Sequence, residues 1–327
     1  MSQPRFTLAM GQDEGGTRRA TMDAPFGAAL VELGAQRPEI VGLTADLGKY
    51  TDIFPFRDAY PTRFMNIGMA EQNLVGIAAG LAHTGHIPFA TTYGVFASRR
   101  AYDYVAIACA HARANVKIIA GLPGLTTGYG GTHQAIEDTG LMCMIPDLVV
   151  IDPCDAIDTM AATRAIADYH GPVYMRLLRG KVPVVLDPKY KFEIGKARLL
   201  ATGSDVGFIS TGLMTERALD AAATLAARGL SVGVLHVPTL KPLDTDAIAS
   251  FAAGVKHVVT AENHVVRGGL GTMAAEALFD AGVTTRITRV GLPDKFIECG
   301  VMASLQDRYG ITTRHLVDAG ARAARLI

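Results

Sequence analysis

The sequence predicts an α/β protein made of two doubly wound domains. Apolar β-branched runs alternate with longer Ala-rich segments, which is the pattern of βα units around a buried parallel sheet. The alternation breaks once, in a polar stretch around Pro183 and Pro188, and then restarts. The 327 residues suffice for two such domains. We therefore expect a flexible N-terminus over residues 1–20, a first domain over 21–186 and a second over 187–327.

The elements of the first domain follow from where its apolar runs begin and end. Short β-branched runs predict strands at residues 40–44, 64–67, 87–92, 116–120, 148–151 and 173–178. Longer Ala-rich segments predict helices at residues 24–36, 71–83 and 95–112, from about 133, and after the N-cap candidate Asp155.

The second domain repeats the same alternation. Its expected strands are residues 206–210, 231–237, 257–262 and 286–290. Its expected helices are residues 215–228 and 270–281, with a closing helix from 313. Parallel sheets of this kind bind ligands at the carboxyl ends of their strands, so we expect the functional residues to lie there.

The composition gives no reason to expect certain classes of partner. Basic and acidic residues balance at 31 each, so net charge does not favour nucleic acid or an anionic membrane as a partner. The most apolar helical stretch is interrupted by His83 and His86, short of a membrane span. The four cysteines lack CxxC spacing, so we expect free thiols, no metal ligands and a cytoplasmic protein.

Glu71 is the first candidate for a chemical role. It begins a helix whose sequence is apolar on nearly every side, so its carboxyl group should be largely buried. A buried carboxyl group tends to be protonated and can then donate a hydrogen bond to a ring nitrogen. The structural alternative is a cap that interacts with the helix dipole.

Two aromatic residues and a glycine-rich loop are the next candidates. Tyr93 and Phe96 are three residues apart where a strand passes into a helix, which suits either a stacking platform for a flat heterocycle or simple core packing. The loop 121–134 lacks the lysine of a phosphate-binding loop and the register of a dinucleotide fingerprint. We expect its glycines to let the backbone approach a ligand, with His133 as a proton carrier or a structural residue.

Arg176 and Arg179 end a predicted strand of the first domain. A guanidinium group at that edge of the sheet suits bidentate binding of a phosphate. An interdomain salt bridge explains either arginine equally well.

The order and spacing of six segments resemble the transketolase family and the corresponding half of 1-deoxyxylulose-5-phosphate synthase. The segments are Ala45–Leu47, Ile67–Asn73, Thr92–Phe96, Gly130–Gln134, Ile145–Asp147 and Arg176–Arg179. Each motif is modest alone, but their joint order is specific, and the resemblance runs from about Ala20 to the end of the chain. It implies a thiamine-diphosphate pyrimidine-binding domain over 21–186 and a transketolase C-terminal domain, with a mostly parallel sheet, over 187–327.

The resemblance implies a role for each matched residue. Glu71 matches the glutamate that hydrogen-bonds N1′ of the cofactor's aminopyrimidine ring. Tyr93 and Phe96 match the aromatic residues around that ring, and Asp46 matches an acidic residue near the cofactor. His133 matches the histidine that meets the reacting oxygens of the substrate, so Glu71 and His133 are the expected catalytic residues.

The implied activity is transfer of a two-carbon ketol unit from a ketose phosphate to an aldose or aldose phosphate. A full-length transketolase also has an upstream domain whose GDG motif and asparagine hold the metal ion and the diphosphate. This chain has no GDG motif. We therefore expect Mg²⁺ and its ligands to come with a second subunit, and the assembly to be an α2β2 heterotetramer.

The substrate-binding residues depart from the family pattern. Arg179 matches the arginine that binds an acceptor phosphate. Gly121, however, stands where transketolases commonly have a histidine, Tyr129 stands where they have an aspartate, and Arg99 replaces a third stacking aromatic. We expect His133, Arg179, Arg99 and Tyr129 to line the substrate site, and an altered sugar phosphate to be the substrate.

Two other functions compete with this interpretation. The β-subunit of a 2-oxoacid dehydrogenase shares the expected architecture, although such subunits usually have an HSQS-like segment where this chain has Thr132–Ala135. A noncatalytic α/β scaffold is the rival from another class, and the changes at Gly121 and Tyr129 are compatible with it.

Overall fold

The computed structural model describes residues 16–325, which contain two mainly parallel sheets with helices packed against them. The strands are β1 (Thr21–Asp23), β2 (Ile40–Thr44), β3 (Phe64–Asn66), β4 (Ile87–Tyr93), β5 (Lys117–Gly121), β6 (Val149–Ile151), β7 (Val173–Leu177), β8 (Lys181–Pro183), β9 (Arg198–Ala201), β10 (Val206–Ser210), β11 (Val232–His236), β12 (Thr239–Lys241), β13 (His257–Val265) and β14 (Arg286–Leu292). The α-helices are α1 (Pro25–Gln36), α2 (Phe54–Ala59), α3 (Glu71–His83), α4 (Tyr102–Tyr104), α5 (Asp138–Cys143), α6 (Ala156–Asp168), α7 (Met214–Ala226), α8 (Thr245–Ala253), α9 (Leu270–Asp280), α10 (Met302–Arg308) and α11 (Thr313–Arg325).

The larger sheet has the strand order β12-β6-β7-β5-β4-β2-β3 within the described residues. All neighbours in it are parallel except β12, which runs antiparallel to β6. Its central strands are buried along their whole length, which explains why their sequences read as continuous apolar runs. The prediction of an α/β fold with a parallel sheet is confirmed.

The smaller sheet has the order β14-β13-β10-β11-β9. Its first four strands are parallel, and β9 runs antiparallel at the edge. Helices α7 and α11 pack together on this sheet and supply much of its apolar cover. The second doubly wound unit is therefore also present.

The two sheets are joined more closely than a simple linker would require. Strand β12 comes from beyond the expected boundary at residue 186, yet it completes the larger sheet next to β6. The described part of the N-terminal segment also reaches across, because Arg19 pairs with Glu216 and Asp220 on α7 at 3.0 and 2.6 Å. The expectation of flexibility over residues 1–20 falls mostly outside the described residues, and the domain limits stay predictions.

Two expected helices differ in the structure. Residues 95–112 do not form one continuous α-helix, because two π-helical segments, Phe96–Arg100 and Val105–His111, flank the short α4. The helix expected from about residue 133 begins only at Asp138, because residues 131–137 form turns and a bridge in which Ala135 pairs with the loop backbone. The N-cap prediction is confirmed, since the Asp155 side chain accepts a hydrogen bond from the Asp158 backbone at 2.7 Å.

Helices long and apolar enough to cross a membrane are absent from residues 16–325.

Candidate functional site

The carboxyl edge of the larger sheet brings most of the predicted site residues together. Asp46 follows β2, Tyr93 ends β4, and Arg179 follows β7. Because β2, β4, β5 and β7 are parallel neighbours, their carboxyl ends meet at one edge. The parallel pairing thus places these residues at the edge of the sheet where ligands of parallel α/β sheets commonly bind.

Three aromatic side chains surround the ring of His133. Tyr93 and Phe96 are stacked on each other, with centroids 5.8 Å apart and planes inclined by 29°. The imidazole of His133 meets them edge-on at 6.2 and 5.4 Å, and Tyr129 at 5.6 Å. Tyr93 and Phe96 are buried whereas Tyr129 is 60% exposed, so His133 lies between a buried aromatic floor and an exposed aromatic rim.

Glu71 is buried, as the sequence predicts, at the first turn of α3. Its Oε1 accepts a hydrogen bond from Nη1 of Arg100 at 3.0 Å. The Arg100 guanidinium also lies 3.9 Å from the centroid of the Phe96 ring. One arginine therefore links the predicted acid to the predicted stacking platform. Glu71 therefore forms an ion pair in this structure, and its role as a hydrogen-bond donor to a ring nitrogen stays a prediction.

Arg99 points the other way, into the loop that carries His133. Its Nη1 donates to the carbonyl of Gly131 at 3.0 Å and its Nη2 to that of Gln134 at 3.4 Å. Its Nε forms a short hydrogen bond with the Glu137 carboxylate. Protein acceptors thus engage the guanidinium on every nitrogen. The prediction that Arg99 binds substrate stays a prediction, but the geometry fits support of the loop better.

The glycines of the loop 121–134 serve a purpose that the sequence did not predict. A Cβ on Gly128 would lie 2.1 Å from the carbonyl oxygen of Gly300, and one on Gly124 would lie 2.2 Å from that of Asn263. Gly124 also has a positive φ of 58°. The expected close approach to a ligand is therefore, at these positions, a close approach to the second domain.

Arg179 is the predicted phosphate-binding residue, and it has an unused donor. Its Nε is buried and has no hydrogen-bond partner within the described part of the chain. The guanidinium lies 5.5 Å from the ring centroid of Tyr50, which itself meets Tyr93 edge-on at 6.4 Å. Burial raises the pKa of Tyr93 to about 12, although Arg179 opposes the rise, so the phenol keeps its proton.

Asp46 lies beside Asn66 at the end of β3, with no described contact to the aromatic cluster. Its Oδ1 accepts a hydrogen bond from Nδ2 of Asn66 at 3.1 Å, and its backbone donates to Asn66 Oδ1 at 3.0 Å. Asp46 is exposed and has a φ of 59°. The left-handed backbone is held by this reciprocal pair, and the carboxylate stays accessible for a predicted role near the cofactor.

Gly121 marks a place where another segment fills space. A Cβ at this position would lie 3.1 Å from Cγ2 of Thr51 and 3.4 Å from the carbonyl oxygen of Tyr50. The chain at residues 50–51 therefore occupies the volume that a larger side chain would need. This explains the absence of a histidine here without recourse to a ligand.

Arg176 takes the structural role that the sequence left open. It is buried between Asp138 and Asp152, and it also donates to the carbonyl of Asn263 in the second domain at 3.2 Å. Burial raises the pKa of Asp138, but the charge and hydrogen bonds of Arg176, together with His264 and the hydrogen bond from Tyr174, outweigh it, so the net pKa is lowered. Arg176 thus holds the two domains together and leaves Arg179 as the arginine available to a ligand.

One buried cluster lies outside this region. Cys154, Asp158 and His236 approach one another between α6 and β11, and their residue types are those of metal ligands. His236 Nε2, however, is 2.9 Å from Asp158 Oδ2, and His236 Nδ1 is 2.9 Å from the hydroxyl of Thr215. Hydrogen bonds occupy both imidazole nitrogens of His236, so we interpret the cluster as a contact between the two domains. The spacing of the cysteines in the sequence did not reveal it.

Several residues of the site were missed from the sequence. Arg100 and Glu137 contact predicted residues directly, and Phe296 of the second domain lies 5.5 Å from the Arg99 guanidinium. A consecutive arginine pair in an otherwise apolar stretch was the available signal for Arg100. For Phe296 no local signal exists, since its position depends on the packing of the second domain.

Two family models match the chain. "Transketolase, pyrimidine binding domain" matches residues 18–184, and "Transketolase, C-terminal domain" matches residues 195–316. Together they cover both units of the fold, in the order that the sequence analysis expected.

Known proteins of similar length match nearly the whole chain. The uncharacterized transketolase family protein y4mN of Sinorhizobium fredii is 51% identical over 96% of this chain and 92% of its own length. The 6-deoxy-6-sulfo-D-fructose transketolase subunit SqwH of a Clostridium species is 40% identical over 89% of this chain and 90% of its own length. A solved split-gene transketolase, described as an inactive beta4 tetramer, superimposes with a TM-score of 0.86 at 42% identity, covering 94% of this chain and 99% of that one.

Proposed function

Because the chain belongs to the transketolase family, we propose that it is one subunit of a split, thiamine-diphosphate-dependent transketolase. The proposed reaction transfers a two-carbon ketol unit from a ketose phosphate, or a similar anionic sugar, to an aldose or aldose phosphate. The observation that carries the proposal is the convergence of a buried acid, a stacked aromatic pair and an imidazole at one edge of the parallel sheet.

The residues of this chain fit the aminopyrimidine end of the cofactor. Thiamine diphosphate, when bound, supplies the electron sink that carbon–carbon cleavage needs. Glu71 would hold the proton shared with ring atom N1′, while Tyr93 and Phe96 would orient the flat ring. Asp46 is the acidic residue that we place near the same cofactor.

The residues do not fit the diphosphate end. Within residues 16–325, the one group of three metal-ligating side chains is the hydrogen-bonded cluster of Cys154. We therefore propose that a second subunit supplies the Mg²⁺ ligands and the diphosphate site. Met69, Tyr104 and Ile107 are 80%, 45% and 58% exposed around α3 and the adjoining π-helix, and this apolar surface suits a partner subunit.

We propose that His133, Arg179 and Tyr129 face the substrate. Nδ1 of His133 is 2.8 Å from the hydroxyl of Thr132, which leaves Nε2 for a sugar oxygen. The unpartnered Nε of Arg179 suits a phosphate or the sulfonate named for SqwH. We propose that Arg99 supports this site by holding the loop that carries His133, without contacting the sugar itself.

The assembly and location follow from the same reasoning. The solved split-gene relative is called inactive as a beta4 tetramer, and we expect this chain alone to self-associate and to lack activity. With the partner subunit we propose an α2β2 heterotetramer. The four cysteines are free within the described residues, and we place the enzyme in the reducing cytoplasm.

The proposal is tested by reconstituting the chain with a partner that carries a GDG motif. Ketol transfer should require both subunits, thiamine diphosphate and Mg²⁺, and the E71A variant should abolish it while leaving assembly intact. Turnover with xylulose 5-phosphate should be poor beside a sulfonated or branched sugar, because Gly121 and Tyr129 replace residues that read sugar hydroxyls.

Three outcomes would contradict the proposal. Full activity of this chain without a partner would refute the split arrangement. Unchanged partner activity with E71A would indicate a noncatalytic scaffold. Decarboxylation of a 2-oxoacid without any aldehyde acceptor would instead identify a 2-oxoacid dehydrogenase subunit.

A further inference from the structure

The Arg100 guanidinium contacts both groups that the proposed function assigns to the aminopyrimidine ring. It donates a hydrogen bond to Glu71 at 3.0 Å and lies 3.9 Å from the ring centroid of Phe96. The side chain of Glu71 is 3% exposed and that of Arg100 is 50% exposed. The arginine thus reaches from solvent into the place where the acid and the aromatic platform meet.

A guanidinium group and an aminopyrimidine ring share the features that these two groups recognise. Both are flat and delocalised, and each places a nitrogen against the Glu71 carboxyl group: the guanidinium donates to the carboxylate, whereas N1′ would share the proton that Glu71 holds. Both stack on an aromatic face, the guanidinium with an added cation–π attraction. The Glu71 oxygen that accepts from Arg100 is therefore engaged by a chemical analogue of the proposed ligand.

We propose that Arg100 is an internal competitor for the aminopyrimidine position. The Glu71–Arg100 ion pair opens before the cofactor ring binds, and the arginine then moves into solvent. This inference rests on the proposed function, because it concerns the same ring site. It assigns Arg100 a role in setting cofactor affinity, which is separate from the chemistry of ketol transfer.

The free protein gains stability from this arrangement. Within residues 16–325, the hydrogen bond from Arg100 is the one that the buried Glu71 carboxylate accepts. A buried carboxylate without a partner is destabilising, so the pair keeps the acid in place while the ring is absent. Half of the arginine side chain already faces water, which makes its departure inexpensive.

The neighbouring arginine limits what has to move. Arg99 anchors the π-helical segment Phe96–Arg100 to the loop through Gly131 and Glu137. The backbone that carries Phe96 can therefore stay fixed while the Arg100 side chain alone changes rotamer. Side-chain rotation at an exposed position is fast compared with turnover, so the competition should affect affinity rather than the catalytic rate.

The test measures thiamine diphosphate binding by isothermal titration calorimetry, with saturating Mg²⁺, in the reconstituted two-subunit protein. The R100Q variant should bind the cofactor about 5- to 10-fold more tightly than the wild type, since a charged hydrogen bond no longer has to break. The exposed-arginine variant R228Q is the control for the loss of one positive charge, and its affinity should equal that of the wild type.

A second background makes the result specific to the ion pair. In E71Q, the additional R100Q change should raise cofactor affinity less than it does in the wild-type background, because the ion pair is already gone and only the contact with Phe96 remains. Equal or weaker binding by R100Q in the wild-type background would overturn the inference while leaving the proposed function intact. Failure of the wild-type complex to bind thiamine diphosphate would overturn both.

Discussion

Arg99 and Arg100 are consecutive in the chain, yet they serve different parts of the site. Arg99 donates to the backbone around His133, whereas Arg100 pairs with Glu71. Both arginines lie in the π-helical segment Phe96–Arg100, and successive side chains of a helical turn do not face the same neighbour, so each arginine reaches a different partner. The role of each arginine therefore depends on the residues that it contacts, and not on its residue type alone.

Arg99 should act on the catalytic rate through the loop that it holds. The R99Q variant of the reconstituted enzyme should lose about 10- to 100-fold in turnover number with little change in KM, because hydrogen bonds to the charged group are worth about 1.5–3 kcal/mol. R99K should recover part of the loss, and E137Q should resemble R99Q. A large rise in KM at unchanged turnover would instead place Arg99 on the substrate.

Glu262 should make the stability depend on pH. Burial raises the pKa of this carboxyl to about 7 from an ordinary value of 4.5, despite hydrogen bonds from the backbone of Leu270 and Gly271. The folded state therefore binds more protons than the unfolded state between these two pH values. The protein accordingly loses stability as the pH rises from about 4.5 to 7, because Glu262 must then ionise in a buried position.

The measurement is urea unfolding of the wild type and of E262Q at pH 5 and pH 8. The free energy of unfolding of the wild type, relative to that of E262Q, should fall by about 2.5 kcal/mol between pH 5 and pH 8, at 1.36 kcal/mol per pKa unit. The exposed-site variant E276Q is the matched control. A difference that grows with pH would show that the carboxyl is ionised more easily in the folded protein.

Burial of Glu71 and pairing of Tyr93 with Phe96 could be predicted from the sequence, because both depend on local spacing. Glu71 is the first residue of an apolar helix. Tyr93 and Phe96 are three positions apart, and residues at that spacing share one face of a helical turn. Its ion pair with Arg100 could not be predicted, since the two residues are 29 positions apart and meet only through tertiary packing. Sequence patterns over a few residues thus predict whether a side chain is buried, but they do not predict which distant residue it contacts.

At the scale of elements, most strands of the two sheets were predictable and the loop before α5 was not. Buried parallel strands are continuous apolar runs, so β2, β4 and β10 stand out in the sequence. Short antiparallel edge strands such as β9 and β12 were missed, because β9 is partly exposed and β12 has only three residues. Where a helix was expected from residue 133, the structure has a loop instead, and the backbone of Ala135 forms bridges with Pro123 and Gly124.

The packing of that loop gives a prediction for Gly128. The G128A variant should destabilise the chain by about 2 kcal/mol or more, because the new methyl group would overlap the carbonyl oxygen of Gly300. G254A is the control, since its Cβ would meet neighbouring atoms only at 3.5 Å or more. Thermal unfolding of both variants decides the matter, and equal melting temperatures would contradict the close packing.

At the scale of the whole molecule, buried polar groups join the two domains. Arg176 lies between Asp138 and Asp152 and reaches Asn263, while His236 pairs with Asp158. The sequence offered an interdomain salt bridge as one explanation of Arg176, but it could not select among the many carboxylates of the chain. The alternation of strands and helices predicts each unit, whereas the contact between units comes from side chains distant in sequence.

The Arg176 network should couple the unfolding of the two domains. R176M should lower the free energy of unfolding by about 3–5 kcal/mol, because it leaves two buried carboxylates without their cation. R267M is the control, since Arg267 is 81% exposed and its pair with Asp294 spans 3.4 Å; no measurable loss is expected there. A calorimetric scan of R176M that matches the wild type would show the network to be dispensable.

Strand β12 has a consequence for attempts to dissect or recombine such proteins. It lies beyond residue 186, yet it covers the edge of β6 in the sheet that precedes this point. A polypeptide severed between residues 186 and 187 would leave one fragment with a bare β-edge and the other with an orphan strand. Chimeras that exchange the C-terminal halves of relatives must therefore match the incoming 239–241 segment to the host's β6, or the junction becomes a template for aggregation.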